Sequence, residues 1–140
     1  MTAKKKLLLV DDDQDILDQL SLALGGEGYE VVTAQGRQEA EESLMLGQPD
    51  LAIVDLMMEE MDSGLVLSHE IKKLYPETPV IILTAVTATT GLDFHMRDKQ
   101  ARSWVKADAR LDKPVRFEQL RAEVQRLLAP RASQPTGASV

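Results

Sequence analysis

Short aliphatic runs alternate with longer amphipathic stretches along most of this chain. Unbroken runs of four aliphatic residues occupy positions 7–10, 51–54 and 80–83, and each is followed by a polar residue. Runs of this kind are typical of strands that are covered on both faces, as in a parallel sheet. The alternating stretch 29–34 and the short stretch 109–112 predict two further strands. The pattern therefore predicts five strands.

Four amphipathic stretches separate or follow these strands. Apolar residues recur at intervals of three and four residues within positions 16–24, 37–46, 67–74 and 117–128, as they do on one face of a helix. Between residues 85 and 108 the pattern has no regular period. Strands that alternate with helices predict an α/β domain of three layers, in which right-handed crossovers place helices on both faces of a five-stranded parallel sheet.

Length and composition narrow the class of protein. The 140 residues suit one domain, which we place at residues 4–129, and the stretch 130–140 has the composition of a disordered tail. With Lys+Arg 16 against Asp+Glu 23 the net charge is −7, which disfavours direct nucleic-acid binding because that affinity comes mainly from basic residues. The absence of cysteine excludes disulfides and thiolate metal sites. The aliphatic runs are too short for membrane insertion or a secretory signal, so we expect a cytoplasmic protein.

Polar residues stand at the carboxyl ends of the predicted strands. Asp11 and Asp12 follow the first strand, and Asp55 follows the third. Thr84 follows the fourth strand and Lys113 follows the fifth. The carboxyl ends of parallel strands meet at one edge of the sheet, where open α/β proteins bind ligands. The sequence therefore predicts a site with three carboxylates, one hydroxyl and one ammonium group.

The charges of this predicted site favour a divalent cation. Three carboxylates contribute −3 and Lys113 contributes +1, so one divalent ion neutralises the set. Oxygen ligands without His or Cys favour a hard ion, and Mg²⁺ is the abundant cytosolic choice. Protein-bound Mg²⁺ commonly contacts phosphate oxygens as well, and a carboxylate can attack phosphorus to form an aspartyl phosphate. We therefore expect a phosphorylated substrate.

The order of these motifs resembles that of the receiver domain of bacterial two-component response regulators. The resemblance rests on the acidic pair after the first strand, on Asp55, on Thr84 with the alanine that follows it, and on Lys113 with the proline that follows it. It covers about residues 4 to 129 and implies the flavodoxin-like fold with the strand order 2-1-3-4-5.

The resemblance also implies roles for individual residues. Asp55 would be the phosphoacceptor, Thr84 the switch hydroxyl, and Lys113 the partner of a phosphoryl oxygen. The implied Mg²⁺ ligands are Asp11, Asp12, Asp55 and Met57, the last through its backbone carbonyl. A cis peptide bond between Lys113 and Pro114 is implied as well, and cis bonds occur almost only before proline.

By the same resemblance, the chain would be a phosphoacceptor switch of a two-component system or phosphorelay. A sensor histidine kinase or a histidine phosphotransfer protein would donate the phosphoryl group, and receivers catalyse their own phosphorylation and dephosphorylation. The modified state would change a face that binds a downstream protein. We expect a stand-alone receiver, because 140 residues leave no room for an effector domain. Formation of a homodimer stays open.

Three features depart from the usual receiver pattern. The 28 residues between Thr84 and Lys113 are more than receivers usually have, and we expect this enlarged segment to replace the usual output face. Arg110 stands where receivers usually carry Tyr or Phe. In the loop after Asp55, Gly64 comes one place later than the usual glycine.

Two other functions stay open on the sequence. A receiver-like adaptor that works without phosphorylation would suit the missing aromatic residue. The pair Asp11 and Asp13 offers the D-x-D pattern of Mg²⁺-dependent phosphohydrolases of the haloacid-dehalogenase kind, which also form an aspartyl phosphate. No cap domain for such an enzyme follows in the sequence. Asp13 also has a simpler interpretation, because an aspartate just before a helix commonly caps it.

Overall fold

A computed structural model describes residues 4–56, 63–84 and 108–129 of the chain. The strands are β1 (Lys6–Val10), β2 (Glu30–Ala34), β3 (Leu51–Asp55), β4 (Val80–Thr84) and β5 (Ala109–Asp112). The helices in these ranges are α1 (Gln14–Gly26), α2 (Arg37–Leu46), α3 (Ser63–Leu74) and α4 (Phe117–Leu128). The five predicted strands and four predicted helices are confirmed, with ends that differ by a few residues at most.

The five strands form one parallel sheet in the order β2-β1-β3-β4-β5. This is the order that the resemblance implies, so the α/β fold class is confirmed. The chain adds β2 on one side of β1 and adds β3, β4 and β5 on the other side. The order therefore reverses between β1 and β3, and open α/β sheets bind their ligands beyond the carboxyl ends of the strands at such a point.

Two hydrophobic cores cover the two faces of the sheet, because successive strand side chains point to opposite faces. The strand residues packed under α1 and α4 are Leu7, Leu9, Leu51, Ile53, Ile81, Leu83 and Leu111. The strand residues packed under α2 and α3 are Leu8, Val10, Ala34, Ala52, Val54, Val80 and Ile82. All of them are buried. A shift of one residue would exchange the two sets, so this packing fixes the register that places the strand ends.

The turn between β1 and α1 separates the acidic residues of the first strand end. Asp13 is the N-cap of α1, and its carboxylate accepts a hydrogen bond of 3.0 Å from the backbone N–H of Asp15. This pairing satisfies one of the N–H groups that a helix start leaves without an intrahelical partner. Asp13 is therefore a helix cap, as its position before the helix predicts.

Part of what the sequence predicts falls on residues outside the described ranges. These parts are the backbone carbonyl of Met57, residues 85–107 of the enlarged segment, and the tail 130–140. The domain bounds 4–129 stay a prediction for the same reason. Among the helices of the described ranges, none has the length and apolar character needed to cross a membrane.

Candidate functional site

The carboxyl ends of three strands bring two carboxylates and one ammonium group together. Asp11 comes two residues after Leu9 of β1, Asp55 two residues after Ile53 of β3, and Lys113 two residues after Leu111 of β5. Those three apolar residues belong to the same core, under α1 and α4. Because side chains alternate along a strand, residues two places further on emerge on the same side of the sheet. Strand parity therefore explains why side chains from three strands meet.

The ammonium group of Lys113 bridges the two carboxylates. Its Nζ lies 3.1 Å from Oδ2 of Asp11 and 3.3 Å from Oδ1 of Asp55. Asp11 is fully buried at 0% exposure, and Asp55 is 4% exposed. Buried carboxylates need paired charges or hydrogen bonds, because water no longer solvates them. The other oxygen of Asp11 accepts a hydrogen bond of 2.9 Å from the backbone N–H of Asp13, so the carboxylate is held at both oxygens.

The protonation of Lys113 follows from this arrangement. Burial by itself lowers the pKa of the ammonium group, since the charged form loses its water. The negative charges of Asp55 and Asp11 outweigh burial and raise the pKa of Lys113 above its ordinary value of 10.5. Lys113 is therefore positively charged throughout the physiological pH range.

Asp12 adds a third carboxylate, which faces the solvent. One carboxylate oxygen each from Asp11, Asp12 and Asp55 lies within 4.8 Å of the others, and Asp12 is the exposed member. The cluster has a charge of −3, of which Lys113 compensates one. Clustered carboxylate oxygens of this charge, without nitrogen or sulfur ligands, suit a hard divalent cation such as Mg²⁺. The donor set thus fits the metal that the sequence predicts, and the exposed Asp12 leaves a side open to solvent.

Thr84 stands at the same edge of the sheet but on the other side of it. It is the last residue of β4 and is 6% exposed. Because side chains two residues apart point to the same face of the sheet, Thr84 lies on the face of Val80 and Ile82, which belong to the α2/α3 core. Its backbone carbonyl accepts a hydrogen bond of 2.8 Å from the N–H of Lys113. Within the described ranges, no hydrogen bond joins the Thr84 hydroxyl to a carboxylate of the cluster. The structure therefore places Thr84 beside the site, with its backbone supporting Lys113.

The peptide bond between Lys113 and Pro114 is cis, which confirms the form that the resemblance implies.

Gly64 supports the site, a role that the sequence did not predict. Its backbone N–H donates a hydrogen bond of 2.9 Å to the carbonyl of Leu56. A Cβ atom at position 64 would overlap the carbonyl oxygen of Asp55 and would lie 2.5 Å from Cα of Leu56. Only glycine fits at this distance. The displaced glycine of the sequence pattern was a visible signal, but the close approach to β3 depends on tertiary structure.

Comparisons with known proteins identify the family of this domain. The family model "Response regulator receiver domain" matches residues 7–125. The transcriptional regulatory protein GlrR of Escherichia coli is 53% identical over 79 residues, which are 56% of this chain and 18% of GlrR. The response regulator MprA of Mycolicibacterium vanbaalenii is 31% identical over 127 residues, which are 88% of this chain and 50% of MprA. The chain thus spans half or less of the length of these two relatives.

Solved structures show the same fold. A CheY-like response regulator receiver domain protein from Methanospirillum hungatei has a TM-score of 0.77 and 28% identity, over 90% of this chain and 94% of that one. The response regulator protein TrrA from Thermotoga maritima, solved in complex with Mg²⁺-BeF, has a TM-score of 0.72 and 35% identity, over 89% of this chain and 99% of that one. The chain belongs to the response regulator receiver domain family and is a receiver domain of two-component signalling.

Proposed function

We propose that this receiver domain is a Mg²⁺-dependent phosphoacceptor switch in which Asp55 carries the phosphoryl group. The observation that carries the proposal is the contact of Lys113 with both Asp55 and Asp11 beside the exposed carboxylate of Asp12. Three carboxylates and one ammonium group thus lie close together, and we assign them the roles of nucleophile, metal ligands and fixed cation. These groups suit phosphoryl transfer, because enzymes catalyse that reaction mainly by positioning the reactants and by stabilising the charge on the transferred phosphoryl group.

Asp55 is the best placed nucleophile of the three carboxylates. Asp11 is fully buried and has both oxygens engaged, one by Lys113 and one by the N–H of Asp13. Asp12 is exposed and has no direct contact with Lys113 in the described residues. Asp55 would attack the phosphorus of the donor with a carboxylate oxygen. The bond between phosphorus and the donor breaks, and the donor group leaves with the electron pair.

Four residues would hold Mg²⁺ at this site. They are Asp11, Asp12, Asp55 and, through its backbone carbonyl, Met57. When bound, the ion neutralises charge on the phosphoryl oxygens and thereby lowers the barrier for attack by an anionic carboxylate. Lys113 contributes a fixed positive charge 3.3 Å from Oδ1 of Asp55, and its raised pKa keeps that charge present. The Thr84 hydroxyl would bond the phosphoryl group after transfer.

The two other functions have less support. A phosphohydrolase of the D-x-D kind would need the Asp13 carboxylate in the site, whereas that carboxylate caps α1 through the N–H of Asp15. An adaptor that works without phosphate would not need two buried carboxylates held around a lysine, since buried ion pairs are seldom a net gain in stability. The arrangement of Asp11, Asp55 and Lys113 therefore favours the switch.

The proposal includes the partners of the domain. A sensor histidine kinase or a histidine phosphotransfer protein would phosphorylate Asp55 in the cytoplasm, and a downstream protein would bind the modified domain. The curated relatives are longer than the region that matches this chain. The response that the whole protein produces is therefore part of the proposal and does not follow from the receiver domain by itself.

Phosphorylation can be tested by intact mass after incubation with Mg²⁺ and acetyl phosphate. We expect the wild type to gain the mass of one phosphoryl group and Asp55→Asn to gain none. Asp13→Asn is the matched control, because asparagine is also a good helix N-cap and the substitution removes a neighbouring carboxylate outside the proposed site. Removal of Mg²⁺ by a chelator should abolish the mass gain of the wild type.

Three results would contradict the proposal. The first is a folded wild type that gains no mass with Mg²⁺ present, which would favour the adaptor. The second is a mass gain that persists in Asp55→Asn, which would place the phosphoryl group elsewhere. The third is steady release of inorganic phosphate from many small phosphate esters, which would favour the phosphohydrolase.

A further inference from the structure

The start of β5 is held by polar contacts of one residue, Asp108. Its backbone N–H donates a hydrogen bond of 2.8 Å to the carbonyl of Val80, and its carboxylate accepts one of 2.8 Å from the N–H of the same residue. The same carboxylate oxygen lies 2.8 Å from Nζ of Lys72, in the last turn of α3. Lys72 also donates a hydrogen bond of 2.9 Å to the carbonyl of Thr78. Asp108 thus joins the beginning of β5 to the first residue of β4 and to the end of α3.

These contacts matter more for β5 than they would for a central strand. β5 has four residues and lies at one edge of the sheet, and Leu111 is its one buried residue. By contrast, all five residues of β3 are buried, and β3 lies between β1 and β4. Packing on both faces fixes the register of a strand such as β3. The position of β5 depends to a larger extent on the polar contacts at its start.

The position of β5 in turn determines the position of Lys113. Lys113 follows β5 directly and comes five residues after Asp108, which is about 17 Å along the strand. Its Nζ lies 3.1 Å from Asp11 and 3.3 Å from Asp55. A slip of two residues, the smallest that keeps side chains on their faces, would move Lys113 by about 7 Å and break both contacts.

We propose that Asp108, held by Lys72, is a positioning residue that keeps Lys113 in contact with the phosphoacceptor Asp55. The inference rests on the proposed function, because Lys113 needs this position to meet a phosphoryl oxygen. Asp108 is too far from the carboxylate cluster to touch the metal ion or the phosphoryl group, so it acts through the strand. Its removal should therefore affect the steps that need Lys113 and spare those that do not.

Two variants remove these contacts, and a third removes a similar contact elsewhere. Asp108→Ala removes both the ion pair and the bond from the N–H of Val80, whereas Lys72→Met removes only the contacts of the ammonium group. The matched control is Asp50→Ala. The Asp50 carboxylate, just before β3, accepts a hydrogen bond of 2.7 Å from the N–H of Lys6 in β1. This is the same kind of contact, but it belongs to a strand that is packed on both faces.

The first readout is the rate at which acetyl phosphate with Mg²⁺ adds a phosphoryl group, followed by intact mass. We expect Asp108→Ala to slow this rate about tenfold, since misplacement of a catalytic group by about 1 Å can slow a reaction about a hundredfold. Lys72→Met should slow it about threefold, because Asp108 keeps its backbone bonds and a partly exposed ion pair contributes little. Asp50→Ala should react at the wild-type rate within a factor of about two.

The second readout is the Mg²⁺ dissociation constant, measured by isothermal titration calorimetry without acetyl phosphate. The carboxylates of Asp11, Asp12 and Asp55 stand at the ends of β1 and β3, so β5 carries none of them. Asp108→Ala should therefore bind Mg²⁺ at least as tightly as the wild type, because a displaced Lys113 no longer opposes the ion. A general loss of structure would instead weaken Mg²⁺ binding together with phosphorylation.

Combination with Lys113→Met shows whether Asp108 acts through Lys113. Where the ammonium group is already absent, Asp108→Ala should slow phosphorylation no further, because the group that Asp108 positions is missing. Additional slowing as large as that in the wild-type background would refute the proposal.

The results separate this inference from the function on which it rests. If the wild type gains mass and Asp108→Ala gains it at the same rate, the positioning role is refuted while the phosphoacceptor function stands. Equal slowing by Asp50→Ala, or Mg²⁺ binding that weakens in step with phosphorylation, would also refute it. If Asp108→Ala does not fold, Lys72→Met decides by the same two readouts. If the wild type itself gains no mass, the phosphoacceptor function fails, and this inference fails with it.

Discussion

Replacement of Lys113 by methionine tests the electrostatics of the site most directly. The substitution keeps an unbranched chain but removes the charge that lies 3.1 Å from Asp11 and 3.3 Å from Asp55. At an effective dielectric constant of about 20, each contact contributes roughly 5 kcal/mol of attraction. Desolvation offsets most of this, and breaking a buried pair typically costs about 3–5 kcal/mol. Since the Lys113 side chain is 19% exposed, we expect a loss of about 3 kcal/mol in the free energy of unfolding at pH 7.

The loss should depend on the charge of the two aspartates. Without the ammonium group, the two buried carboxylates of Asp11 and Asp55 repel each other with no positive charge between them. Mg²⁺ at millimolar concentration should reduce the difference between wild type and Lys113→Met at pH 7, since it supplies positive charge to the same carboxylates.

Urea denaturation followed by circular dichroism measures both effects. Lys5→Met is the matched control, because Lys5 is exposed, has no ion pair within the described ranges, and lies far from the strand ends in question. It should change the free energy of unfolding by less than about 0.5 kcal/mol. A loss for Lys113→Met that is as large with millimolar Mg²⁺ as without it would refute the electrostatic reasoning and attribute the effect to packing.

Three more predictions concern the support of the site and the helices around it. Gly64→Ala should destabilise the domain by about 1–3 kcal/mol and reduce phosphorylation, because a Cβ overlaps the backbone of Asp55 and Leu56. Asp13→Ala should cost about 1 kcal/mol by removing the cap of α1. Glu70→Gln should stabilise the domain at pH 7. Burial and the neighbouring Glu41 raise the pKa of Glu70. A carboxyl group with a raised pKa stabilises the fold at low pH, and this stability is lost as pH rises through that pKa.

Denaturation curves with a control for each variant decide these three cases. Gly25→Ala is the control, because a Cβ at position 25 of α1 meets nothing within 4 Å. It should not destabilise the domain, and an equal loss at both positions would contradict the role assigned to Gly64. Asp13→Asn should retain the stability that Asp13→Ala loses. For Glu70→Gln, a gain at pH 7 that persists unchanged at pH 4 would show that it does not come from ionisation.

The sequence by itself determined the elements and much of the site. Buried parallel strands appear as unbroken aliphatic runs and helices as a three-to-four residue period, so local patterns were sufficient to locate β1, β3, β4 and α4. The polar residues Asp11, Asp55 and Lys113 were recognisable because each interrupts or follows a strand at its carboxyl end. Strand parity is also a local property, and it is the reason why these three side chains meet.

Tertiary structure decided the roles of residues that follow the strands. Asp11, Asp12 and Asp13 are neighbours of one residue type, yet the first is buried against Lys113, the second faces solvent and the third caps a helix. The turn into α1 sets these differences, because the residues that follow β1 no longer alternate between the two faces of the sheet. Position 64 likewise requires glycine because the backbone at the end of β3 lies against it. The local sequence pattern around residue 64 does not show this contact. Residue type and spacing therefore identified the chemistry of the site, while the packing of separate strands and helices decided which groups carry it out.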